Sequence, residues 1–103
     1  MSEGQKVPPD DIIVHALRSI NGEITPNMRM VAFGYDGKSA KFKFYMDKEP
    51  SEDERENGEV VAVNFDSGHA PKLKSLDVEF VVTSKPLGKV DPLDFIVFRR
   101  CEN

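Results

Sequence analysis

The dipeptide Asp36-Gly37 stands between two stretches rich in aromatic and apolar residues, NMRMVAFGY and KSAKFKFYMD. Both residues tolerate positive φ, as the tight type I′ connection between antiparallel strands requires, so the segment predicts a β-hairpin. In the second strand Ala40, Phe42, Phe44 and Met46 alternate with Lys41, Lys43, Tyr45 and Asp47. That period of two predicts one buried sheet face and one wet face. The first strand is two-sided, because Met28, Met30, Ala32 and Gly34 compete with Val31, Phe33 and Tyr35 for the inward side.

A helix is expected before the hairpin. In PPDDIIVHALRSINGEI, Pro8, Pro9 and Asp10 supply a start, and Ile12, Ile13, Ala16, Leu17 and Ile20 form one apolar stripe. Gly22 supplies the stop, and His15, Arg18 and Ser19 fall toward solvent. After the hairpin, Ser51 and Glu54 have the spacing of a capping box, which opens a second helix. Val61 or Ala62, Phe65 and Gly58 would face the core, and Gly68 would end the helix. The β-branched run EVVAVNF would also serve as a strand; the helix is the preferred reading. LDVEFVVT then alternates as an amphipathic strand, SKPLGKVDPLD is a connection, and FIVFRRC is a last strand ending in Arg99 and Arg100. The order α-β-β-α-β-β predicts an α+β fold: a four-stranded, mainly antiparallel sheet with two helices packed on one face.

The 103 residues fit a single domain spanning 1–103, with the polar residues 1–7 expected to be disordered. No stretch reaches the roughly 18 to 20 apolar residues of a membrane span, and the N-terminus lacks the apolar core of a signal peptide. A cytoplasmic protein with no membrane partner is expected, and the lone Cys101 permits no internal disulfide. The net charge of −4 is unevenly spread. From Asp47 to Glu59 there are seven acids against Lys48 and Arg55, a local net of −5, leaving eleven acids and twelve bases elsewhere.

No catalytic motif stands in the chain. His15 and His69 lie in no recognisable nucleophile-base arrangement, and Cys101 has no family signature around it. The metal-binding spacings of paired His or Cys and the spaced-acid calcium loop are absent, as is a phosphate-cradling glycine loop. No cofactor and no metal are expected. Lys41, Lys43 and Tyr45, with Arg99 and Arg100, could begin a basic platform on the wet sheet face for nucleic acid or an acidic partner. The overall acidity speaks against direct nucleic-acid binding. Recognition of another protein remains, because a local excess of carboxylates steers a basic partner and fixes its register.

The stretch Ala16 to Glu54 resembles the CdiI-type immunity proteins of bacterial contact-dependent growth inhibition systems. The resemblance rests on Gly22, Glu23, Thr25, Pro26, Asn27 and Arg29 at the end of the first helix, on Phe44, Tyr45 and Asp47, and on Pro50, Ser51, Glu52 and Asp53. Asn57-Gly58 departs from it by interrupting the second helix. The resemblance implies a non-catalytic protein that forms a heterodimeric complex with a cognate toxin domain, a nuclease, and blocks its active site or substrate access. An acidic helix would offer carboxylates where the nuclease binds phosphates. The residues expected to touch the toxin are Asp47, Glu49, Glu52, Asp53, Glu56 and Glu59.

Overall fold

The computed structural model describes residues 8–69 and 72–102. The expected disorder of residues 1–7 lies outside them. Two helices and four strands follow in the order α1 (Asp10–Ile20), β1 (Met28–Tyr35), β2 (Ser39–Met46), α2 (Glu52–Ser67), β3 (Ser75–Val82) and β4 (Phe95–Arg99). A single 3₁₀ turn, Leu87–Lys89, lies between the last two strands. The hairpin forms at Asp36-Gly37, but Asp36 does not take positive φ, so the turn is not the expected type I′. The Asp36 carboxylate accepts from the backbone N–H of Lys38 and Ser39, and Gly37 takes φ of 96°.

The sheet order is β3-β2-β1-β4. β1 pairs antiparallel with β2 and with β4, but β2 and β3 run parallel, so the sheet is mixed. The last two strands occupy opposite edges instead of pairing with each other. The cause is α2: a helix between two strands is the usual crossover that returns the chain to run parallel. The second helix runs unbroken from Glu52 to Ser67. Gly58, expected to interrupt it, is where α2 crosses β3, and a Cβ there would stand 2.6 Å from the Phe80 ring.

The ambiguity of β1 has a structural origin. A bulge between Met28 and Met30 shifts the register with β2. Met28 therefore packs with Val31 and Phe33 in the core under the helices, while Met30 and Ala32 face the other way. Phe33, Phe42 and Phe65 meet at the centre, with ring centroids 5.0 to 5.6 Å apart. The second sheet face is not wet throughout. Met30, Ala32 and Tyr45 are buried on it under Leu87, with Val81, Val90, Leu93 and Ile96 packed around them. The connection between β3 and β4 forms that cover, and the Tyr45 hydroxyl donates to the Asp91 carbonyl at 2.8 Å.

The first helix is rotated from its expected stripe. Ser19 is buried at 2% exposure and donates to the His15 carbonyl, whereas Leu17 is 40% exposed. His15 turns toward α2, with Nε2 2.7 Å from the Phe65 carbonyl and its ring 4.7 Å from that of Phe65. The Asn64 amide meets the Ser19 carbonyl at 3.5 Å. Contact between two helices selects small and hydrogen-bonding side chains at the crossing, which a purely apolar stripe does not capture.

Candidate protein-binding site

The acids between Asp47 and Glu59 divide by what they touch. Ser51 caps α2: its hydroxyl accepts from the Glu54 N–H at 3.1 Å, and the Glu54 carboxylate accepts from the Ser51 N–H at 3.0 Å. The same carboxylate accepts from Thr25 Oγ1 and from the Asn27 amide, tying the helix start to the entry of β1. Burial alone would raise the Glu54 carboxyl, but the bonds from Thr25, Ser51 and Asn27 outweigh it and hold it below its ordinary value. Gly22, at φ of 86°, turns the chain from α1 toward this contact.

Asp47 belongs to an ion cluster with Arg100, Arg29 and Glu102. The Arg100 guanidinium reaches both Asp47 oxygens, at 2.6 and 3.0 Å, and both it and Arg29 bind Glu102. Arg29 is 5% exposed and also donates to the Thr83 carbonyl at 2.6 Å. The hydrogen bond from Arg29 pulls the Glu102 carboxyl down to about 2 against the opposing effect of desolvation, with Arg100 adding to it. Asp47 is lowered first by its bond from Arg100. Glu49 pairs with Arg55 at 2.8 Å in an exposed contact, and the Arg55 guanidinium sits 5.7 Å above the Phe80 ring.

Glu52, Asp53, Glu56 and Glu59 are exposed, and their carboxylates make no ion pair or hydrogen bond among the described residues. Since Gly58, Val61 and Phe65 face inward, the helical period places Glu52, Glu56, Glu59, Val60 and Val63 on the outward side. Val60 is 41% exposed and Val63 65%, and with Glu56 and Glu59 they line a shallow, open depression. The two valines escaped the sequence reading, which placed Val61 or Ala62, Phe65 and Gly58 in the core and gave Val60 and Val63 no role. The period of 3.6 through Val61 and Phe65 is the signal that would have found them.

The basic sheet face is largely consumed. Tyr45 is 3% exposed, Lys41 pairs with Glu79 at 2.8 Å, and Arg100 is held in the ion cluster. Lys43 lies 5.4 Å over the Tyr45 ring. His69 Nε2 is 2.7 Å from the Tyr35 hydroxyl. No group of His, Cys, Asp or Glu among the described residues is arranged to hold a metal. No helix among them is long and apolar enough to cross a membrane.

The described residues form a small α+β domain whose second helix presents an exposed apolar strip bordered by carboxylates. The MafI2 immunity protein family matches residues 9–102, and the chain belongs to that family. It is thus an immunity protein of a toxin/immunity system. The immunity class that the resemblance implied stands, while the family shown is MafI2 and not specifically the CdiI type. No curated protein matches at a significant level. A solved chain described as MamM CTD W247A overlays 84% of this chain and 91% of its own, at 18% identity and a TM-score of 0.49.

Proposed function

We propose that the protein neutralises a cognate toxin domain, a nuclease, by laying the outward face of α2 into or beside its basic substrate cleft. Contact-dependent delivery of that toxin and a cytoplasmic site of action belong to the same proposal. The observation that carries it is the unpartnered set Glu52, Asp53, Glu56 and Glu59 around the exposed Val60 and Val63. Carboxylates that stabilise nothing internally remain available to cations on another protein, and they act chiefly on encounter rate and register. The valines would supply the desolvated centre that gives such an interface its lifetime. Asp47 and Glu49 contribute through their own pairs, Asp47 by holding the lead-in to α2 in place and Glu49 by fixing Arg55.

Co-expression tests the reading. The protein should rescue growth of cells producing its cognate toxin domain, and should co-purify with that domain as a one-to-one complex. Rescue that survives the combined changes Glu56→Lys and Val63→Asp at wild-type level would sink it.

A further inference from the structure

The two edges of the sheet differ in a way that bears on how the toxin is held. β4 is a five-residue strand whose pairing shifts between Val31 and Ala32, and Leu93, just before it, takes φ of 52°. Such an irregular edge resists further pairing. β3 is eight residues long, contains no proline, and keeps one unbroken register with β2 from Ser39↔Ser75 to Met46↔Val82. Thr83 donates its N–H to the Met46 carbonyl at 3.1 Å. In a parallel ladder alternate residues bond inward, so the odd-numbered residues of β3 serve β2. The N–H and C=O groups of Leu76, Val78, Phe80 and Val82 then point away from the sheet, and no strand among the described residues pairs with that edge.

The edge also adjoins the face already assigned. Asn57 and Asn64 of α2 face α1, through Glu23 and the Ser19 carbonyl, while Arg55 and Gly58 lie against Phe80. Glu59, four residues beyond Arg55, is therefore on the β3 side of the helix. Asp77 and Glu79 project from β3 on the opposite face, and Asp77 makes no ion pair among the described residues. We infer that the β3 edge accepts a β-strand of the toxin that carries lysine or arginine, adding a fifth strand beneath α2. This rests on α2 being the toxin-binding face. A second copy is the poorer occupant: antiparallel pairing of two β3 strands about Val78 sets Asp77 of each opposite Glu79 of the other, and although Lys41 pairs with Glu79, the arrangement leaves Asp77 without a cation to face. A basic strand meets acids on both faces of the edge.

Residue-resolved amide exchange of the labelled protein, alone and with a catalytically inactivated form of the toxin domain it neutralises, is the test. Strand addition protects the amides of Val78, Phe80 and Val82 by about tenfold or more, while those of Asp77, Glu79 and Val81, already bonded, change far less. Val82→Pro, which removes an outward N–H without touching the β2 ladder, should weaken the complex about tenfold with little change in melting temperature. Unchanged exchange along β3 in a complex that still requires Glu52 and Glu56 overturns the strand site and leaves the α2 reading standing. Protected β3 amides in a complex indifferent to Glu52→Gln/Glu56→Lys support the strand site and remove the α2 reading. Protection of the same amides in the protein alone, rising with concentration, overturns the assigned occupant in favour of self-pairing.

Discussion

Glu54 and Glu56 are two residues apart on one helix, and they do opposite things. Glu54 closes the capping box and anchors Thr25 and Asn27, so its charge is spent inside the fold. Glu56 is exposed, touches nothing charged among the described residues, and borders Val60 and Val63. The same contrast separates Asp47, held by Arg100, from Glu52 and Glu59. A run of carboxylates is thus two populations, one bonded within the fold and the other left exposed, to which our proposal gives the recognition role, and on α2 the helical period sorts them. Substitutions should split along that line.

The largest divergence is expected from the recognition set. Glu52→Gln/Glu56→Lys should weaken toxin binding by about a hundredfold at low salt, near 2.7 kcal/mol, as measured by calorimetry. The melting temperature should stay within about 2 °C; glutamine is chosen at position 52 because a lysine in the first turn would oppose the helix dipole.

Next comes Arg29→Ala, with the opposite signature. It strips the Thr83 carbonyl of its donor and leaves Glu102 with Arg100 alone, and denaturant unfolding should register a loss of about 2 kcal/mol, reduced from the usual value for a buried pair by the partial exposure of its partners. The pH dependence follows from the same cluster and from Glu54. Glu102, Asp47 and Glu54 all have folded-state pKa values below their ordinary ones. Their contribution is present above about pH 4.5 and is lost as the pH falls toward 2, where Glu102 protonates in the folded state. Acid titration of stability should therefore flatten in Arg29→Ala.

Glu54→Ala and Ser51→Ala should each cost about 1 to 2 kcal/mol in chemical denaturation, with binding of the residual folded protein unchanged. Glu49→Gln should be the mildest, under about 0.5 kcal/mol, since its pair with Arg55 is exposed. A binding defect in Glu54→Ala equal to that of Glu56→Ala would erase the distinction between the two populations.

Local signals carried much of this into the sequence. Asp36-Gly37 marked the hairpin, the Ser51 and Glu54 spacing marked the start of α2, and the second helix formed despite EVVAVNF because Val61 and Phe65 have a core to enter. What the sequence concealed was long-range. Nothing local says that β3 returns parallel to β2, because that depends on which side the α2 crossover passes. Lys43 and Tyr45 read as a wet face only until the β3–β4 connection, with Leu87, folds over it. Likewise the partners of Asp47 lie 53 positions away at Arg100, so its role as a structural anchor was invisible beside its acidic neighbours.

The most direct measurement is the association rate of the toxin domain by stopped flow across ionic strength, for the wild type and for Glu52→Gln/Glu56→Lys. If the free carboxylates of α2 guide the encounter, the wild type should associate about tenfold faster at 10 mM salt than at 150 mM, and the variant should lose most of both the rate and the salt dependence. Identical rates for the two proteins at every salt concentration would contradict the assignment of α2 as the recognition face.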